Sequence, residues 1–331
     1  MNTNDQTSWR ARFRVDPLPT LLSSSNIALR FCTHRDILMD TTATPEPVWK
    51  LPVITKYLRK QQPSGSWRYP GGGKPYLRSS ENYDQLETYR ILGKLVEKYA
   101  MNNTHPSIEH AAAYLFSFQT DEGDFRGIYG TQYTPNYAAG IMELLIKAGY
   151  VDDPRIKKGI RWLLSLRQND GGWAIPLRTR GKNFTRTVLN NGEVIQPDRD
   201  KPFSHLITGI VLRAFAAHPI YRTKKEVQHV GVLLASRLFK PDTYPDRRTT
   251  EYWERISFPF WFTDALSALD SLSLLGFTRE QKPIADALDW FVHRQQDNGM
   301  FNVKMLKGKD PDLPLWICLA ICRVFQRSYR E

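Results

Sequence analysis

The stretch RWLLSLRQNDGGW, Arg161 to Trp173, runs from a charged helical face into a Gln, two glycines and a Trp. WFVHRQQDNGMF, Trp290 to Phe301, aligns with it without a gap, placing Trp162 on Trp290, Gln168 on Gln296, Gly171 on Gly299 and Trp173 on Phe301. YLRKQQPSGSW and YLFSFQTDEGDF share the Gly-x-aromatic ending at Gly65/Trp67 and Gly123/Phe125, each with a Gln three or four residues before its Gly. Such recurrence marks an array of supersecondary units, each burying its apolar face against its neighbours. In each ending the Gln can bond backbone groups freed at the helix end, the Gly permits the turn, and the aromatic plugs the seam. Trp67 and Trp173 are therefore read as structural, outside any reaction site.

Two kinds of helix precede and follow these endings. DPRIKKGIRWLLSLRQ is one-sided: Asp153 can cap it, Pro154 suits its first turn, and Ile156, Ile160, Leu163 and Leu164 form one apolar stripe. LITGIVLRAFAA (Leu206 to Ala217) and WFTDALSALDSLSLLG (Trp261 to Gly276) are apolar or small over most of their circumference, so they need neighbours on nearly every side. One repeat is thus an inner helix, a tight Gly-aromatic stop such as Gly149-Tyr150 or Gly276-Phe277, an outer helix and the Gln-Gly-aromatic turn. The signature glycines fall at 65, 123, 171 and 299, and the long last step leaves room for a degenerate unit over Val230 to Asp246. Inner helices are expected near 18–36, 82–98, 134–148, 204–217, 260–275 and 312–327, with no convincing strand. The fold expected is all-α: an α/α toroid of about six inner and five to six outer helices. An N-terminal extension, 1–49, carries the first inner helix, and 50–331 carries the repeats, the whole acting as one cooperative domain.

The Gln-x2/3-Gly-x-Trp ending after an amphipathic helix resembles the repeat of the prenyltransferase and squalene cyclase superfamily, over roughly residues 50 to 327. DPLPTLLSSSNIALRFCTHRDIL and YWERISFPFWFTDALSALDSLSLLGF also resemble single-toroid prokaryotic proteins described only by that repeat. The resemblance implies a terpenoid-cyclase-like enzyme, with proton-initiated cyclisation, isomerisation or elimination of an isoprenoid or other polyene. Cyclases of this superfamily that protonate an alkene use Asp-x-Asp-Asp, and its protein prenyltransferases hold zinc through Asp-x-Cys and a distant His; this chain has neither motif.

A ring of inner helices leaves a cavity whose open end is formed by helix starts and the loops leading to them. Those starts supply Tyr76, Ser80 and Tyr83; Tyr133, Asn136 and Tyr137; Phe203, His205 and Thr208; Phe258, Phe260, Trp261 and Asp264; and Trp316. Aromatic faces suit an apolar polyene and stabilise cationic charge developing on it. Asp264, after three aromatics, is the candidate general acid, with His205 and Tyr137 as partners in proton transfer; Tyr83, Tyr133, Asn136, Thr208, Phe258, Phe260, Trp261 and Trp316 are candidate substrate contacts. Asp270 points elsewhere around its helix and is read as a packing or hydrogen-bonding residue. The alternative is a noncatalytic toroid, either a lipid carrier or a protein-interaction scaffold with a filled centre.

Composition bounds the rest. Aromatics make up 12% of the 331 residues, with nine Trp, and the net charge is +12. Residues 171–260 hold 15 Lys and Arg against 8 Asp and Glu, which permits peripheral contact with an anionic membrane. No nucleic-acid recognition element accompanies them, so nucleic acid is not expected as a partner. Apolar runs such as LPLWICLAIC are about half the ~20 residues a spanning helix needs. The N-terminus has no apolar run after its charges, so a cytosolic location is expected. Cys32, Cys318 and Cys322 have no disulfide spacing, and the Cys318/Cys322 pair, on one helix face, is read as core packing; no metal or cofactor is expected.

Overall fold

The structure is a computed structural model in which residues 9–71, 80–306 and 310–330 are described. Tyr76, a candidate above, lies outside them, as does the side chain of Ser80. In chain order the helices are α1 (Leu18–Leu22), α2 (Ile27–Asp36), α3 (Glu46–Trp49), α4 (Pro52–Leu58), α5 (Ser80–Tyr99), α6 (Pro106–Phe116), α7 (Pro135–Leu145) and α8 (Pro154–Ser165). Two short helices, α9 (Pro176–Thr179) and α10 (Phe184–Leu189), follow in the long connection to α11 (His205–Ala217). The chain ends with α12 (Lys225–Ala235), α13 (Ala265–Leu274), α14 (Lys282–Val292) and α15 (Leu313–Ser328). One short parallel pair, β1 (Arg255–Ile256) with β2 (Lys304–Met305), departs from the expected absence of strands.

The two helix classes are those of the repeat. Every residue of α13 from Ala265 to Ser273 is buried, and α11 is buried from His205 to Ala216. Outer α8 buries Ile156, Gly159, Ile160, Trp162 and Leu163 and leaves its charged face to water. Asp153 caps it, its Oδ1 accepting from the Arg155 N–H at 2.8 Å. The chain divides into two compact units, a terminal unit of Met1–Val48 with Pro219–Glu331 and a central unit of Trp49–His218.

Within the central unit the endings work as hinges between successive helix pairs. Gln61 Nε2 donates to its own turn at Gly65 O (2.9 Å) and to Ser107 O in the first turn of outer α6 (2.8 Å). Gln119 repeats this, to Gly123 O and to Arg155 O of α8, both at 2.9 Å. The Gln therefore ties one outer helix to the next outer helix. The Trp ties the turn inward: the Trp67 N–H donates to Thr88 Oγ1 of α5 (3.0 Å) and its Nε1–H to Tyr57 O (2.8 Å). Trp173 does the same with Thr208 Oγ1 of α11 (2.9 Å) and Leu163 O (2.7 Å). Gly65 is required twice over, since its φ is +89° and a Cβ there would lie 2.2 Å from His110 O of α6.

In the terminal unit Gln295 plays the same part across the two ends of the chain. Its Nε2 donates to Gly299 O (3.2 Å) and to Val15 O (2.6 Å), and its Oε1 accepts from the Val15 N–H (3.1 Å). Last helix α15 packs on α2 and α13, and Gln326 Nε2 donates to Ile37 O at 2.9 Å. Within the terminal unit the first and last inner helices thus lie side by side. The degenerate unit is outer helix α12, and Phe239, with φ +57°, takes the left-handed turn that glycine takes elsewhere.

Candidate functional site

Five of the candidate residues belong to the terminal unit. Asp264 immediately precedes α13 and forms a capping box with Ser267: Asp264 Oδ1 accepts from the Ser267 N–H (2.8 Å), and Ser267 Oγ accepts from the Asp264 N–H (2.9 Å). Its Oδ2 accepts from the Ser257 N–H (3.1 Å) and from the Ser257 hydroxyl (3.2 Å). At 1% exposure, both oxygens hold backbone together at a helix start. Phe258 stacks on Trp316 (centroids 6.1 Å apart) and meets Phe260 edge-on (5.5 Å), so three of the expected cavity rings pack against one another. The half-buried Trp261 donates its backbone N–H to Ser257 Oγ at 3.2 Å. Asp270 forms an ion pair with Arg327 of α15.

The other six lie in the central unit. Thr208 belongs to the Trp173 seam, and Tyr83 tilts against Tyr69 at 5.2 Å. His205 opens α11, buried behind the Ser204 cap. The Tyr133 hydroxyl donates to Glu122; burial and this bond push it up to about 12. Asn136 and Tyr137 begin α7, and Asn136 Oδ1 and the Tyr137 hydroxyl are buried with no hydrogen-bond partner among the described residues.

Tyr137 is one of three adjoining tyrosines. Its ring meets Tyr129 edge-on at 5.5 Å and Tyr89 at 6.2 Å. Burial raises all three phenols, Tyr89 to about 12 and Tyr137 well above its ordinary value, so at neutral pH each carries its proton. Tyr129 sits between Gly127 and Gly130, whose left-handed φ values of +147° and +60° make a tight loop with the Gly130 N–H on Gly127 O at 2.7 Å. Both glycines line a cleft of about 490 Å³. Asn82 of α5, Phe118, Arg126, Thr131 and Asn191 complete its wall. One turn on from Asn82, the fully buried Gln85 donates its Nε2–H to Arg126 O (2.7 Å), and its Oε1 has no partner among the described residues. The missing Gly127 side chain makes room for that oxygen, because a Cβ there would lie 1.7 Å from Gln85 Oε1.

Phe118, Arg126, Gly127 and Gln85 did not enter the sequence reading. The available signal was the Gly-Ile-Tyr-Gly run at 127–130, an insertion of two glycines around a Tyr that serves no repeat turn. A buried ion cluster was equally hidden. Glu143 of α7 accepts from Arg213 Nε of α11 (2.8 Å) and from Lys147 Nζ (2.8 Å), and Lys147 reaches Glu97 of α5. Burial alone would raise the Glu143 carboxyl, but the Arg213 and Lys147 charges outweigh it and hold it below the ordinary value.

Residues 85–183, within the central unit, match the family described as squalene-hopene cyclase C-terminal domain. A squalene–hopene cyclase from Bradyrhizobium diazoefficiens is 28% identical over an alignment of 129 residues that covers 35% of this chain and 18% of that enzyme. The chain therefore matches under a fifth of the length of that curated relative. Among solved structures, an apo type II terpene cyclase from Scytonema aligns over 94% of this chain and 98% of its own at 10% identity, with a TM-score of 0.41. A polysaccharide lyase aligns over 92% and 90% at 11% identity, with a TM-score of 0.46. The resemblance to the prenyltransferase and squalene cyclase superfamily thus has its footing in residues 85–183, a stretch like the squalene–hopene cyclase C-terminal domain that contains Gln85, the Gly127–Gly130 loop and Tyr137.

Proposed function

We propose that the chain takes an isoprenoid or other polyene into the cleft of the central unit and acts on it in the manner of a terpenoid cyclase. The observation that carries this reading is a coincidence of position. The cyclase-like stretch supplies five of the seven residues of the cleft wall and also holds a tyrosine trio with an unpartnered buried hydroxyl. The aromatic ring in the cleft wall, Phe118, favours cationic charge on a bound chain. A neutral phenol of raised pKa is too weak an acid to protonate an alkene, so Tyr137 acts at the other end of the reaction. A carbocation that loses its proton as the final double bond forms would hand it to the Tyr137 oxygen, and the phenol would pass one proton on to water as it returns to neutral. None of the residues lining the cleft is an acid that could protonate an alkene, and Asp264 of the terminal unit is engaged in the capping box of α13. That engagement, with the missing Asp-x-Asp-Asp motif, favours a second reading, a noncatalytic carrier of the same ligand class.

Incubation with linear isoprenoids, followed by mass spectrometry of bound and converted lipid, separates the two. The cyclase reading predicts turnover that falls about 100-fold or more in Tyr137→Phe, with lipid still retained. Lipid retained without conversion supports the carrier, and absence of both binding and conversion removes the proposal.

A further inference from the structure

The central unit carries a surface feature that the repeat does not use. Residues 171–192 contain four cations, Arg178, Arg180, Lys182 and Arg186, and no acid. The later part of this run is a loop pinned at both ends. At its base Arg180 lies 3.7 Å from Asp198, and Thr179 Oγ1 accepts from the Asp198 N–H at 2.9 Å. At its far end Thr131 Oγ1 donates to Gly192 O (2.6 Å) and Gln132 Nε2 to Glu193 O (2.9 Å). Thr131 and Asn191 belong to the cleft wall, so the loop stands at the rim of the cleft.

Between the pins the loop stands clear of its neighbours. A Cβ on Gly181 or Gly192 would meet nothing within 4 Å. Short helix α10, capped by Asn183 Oδ1 on the Arg186 N–H (2.9 Å), buries Val188 and leaves Leu189 43% exposed. Arg186 precedes that leucine by three residues and so shares its helix face. Lys182 and Arg186 are exposed and make no ion pair among the described residues.

Cations without acids beside an exposed leucine make the two-part signal of an interfacial contact. The charges draw in an anionic surface, and the apolar side chain gains from burial among lipids. A nucleic acid would answer the same charges but gain nothing from the leucine. We propose that this loop docks the protein on an anionic lipid bilayer through Lys182, Arg186 and Leu189, which sets the cleft rim beside the membrane. The docking stands whether or not the cleft takes an isoprenoid.

Cosedimentation of the full chain with lipid vesicles tests it. Vesicles of equal parts phosphatidylcholine and phosphatidylglycerol should bind about tenfold or more tighter than phosphatidylcholine alone, a preference that shrinks as salt is raised. Lys182→Gln with Arg186→Gln should weaken that binding about 25-fold, about fivefold for each cation. Lys224→Gln with Lys225→Gln removes the same exposed charge from the terminal unit and should weaken it less than about threefold. Leu189→Ser should weaken vesicle binding about fivefold and leave binding to a single-stranded oligonucleotide unchanged. Because the altered side chains are exposed, each variant should melt as the unaltered protein does. Equal binding to the two kinds of vesicle, equal losses in the two double variants, or tighter binding to the oligonucleotide than to anionic vesicles overturns the proposal.

Discussion

Arg213→Ala is expected to lower the unfolding free energy by about 3–5 kcal/mol, the range for breaking a buried ion pair from one side. Arg213 and Glu143 are 2% and 3% exposed at the side chain, on the two helices, α11 and α7, that make the most extensive helix-helix contact among the described residues. Truncating the Arg leaves Glu143 buried with Lys147 as its remaining partner. The double variant Arg213→Met with Glu143→Leu removes both charges and should recover most of the loss, since a well-packed apolar pair often equals a buried ionic one. Denaturant unfolding of the single and double variants checks this. The same cluster sets an acid limit. Because the Glu143 carboxyl is held below its ordinary value, its contribution is fully present above ~4.3. That contribution is lost as the pH falls through the lower folded value.

Asp264→Ala should also act on stability. It removes the cap of α13, worth about 1–2 kcal/mol, and leaves the buried Ser257 N–H without its acceptor, worth about 1–3 kcal/mol more. Asp264→Asn separates these two parts. Its amide oxygen can still accept from the Ser267 N–H, but its amide nitrogen then faces the Ser257 N–H, donor against donor. The expected order of melting temperatures is therefore wild type, then Asn, then Ala. An Asn variant that melts like wild type yet loses all conversion of a polyene would instead restore Asp264 as the reacting acid.

The alternation of one-sided and enclosed helices was legible in the sequence because burial of an α-helix writes itself into a period of about 3.6 residues. Local chemistry was legible too: Gly149 and Gly276 end their helices at φ +101° and +89°, and Asp153 caps α8. The register of the glutamines was less so. Alignment by identity paired Gln168 with Gln296, but Gln61, Gln119 and Gln295, each four residues before the Gly, make the hinge. In the third unit Arg167 holds that position, and Gln168 bonds instead to Asp198 O and Lys201 O of the long connection. Gln168 and Gln296 share something else: their N–H groups donate to Gly172 O and Met300 O, a bond any residue but proline can make.

The site was legible only in part. Tyr133, Asn136 and Tyr137 could be named as candidates because a helix start after two aromatics is visible in one dimension. Gln85 and Gly127 are separated by 42 residues, and what joins them is the absence of a side chain at one and a spare oxygen at the other. Glu143 and Arg213 are 70 apart. Each reads singly as an ordinary polar residue on a helix, and only packing reveals that it has no water to turn to.

Amide hydrogen exchange of the full chain with and without farnesol is the most direct measurement of whether this cleft is where the ligand goes. Slower exchange confined to residues 126–137 and the first turns of α5, the backbone carrying the cleft and its tyrosines, is the result expected. Saturable binding that protects only segments of the terminal unit, with no change between Gly127 and Tyr137, would contradict it.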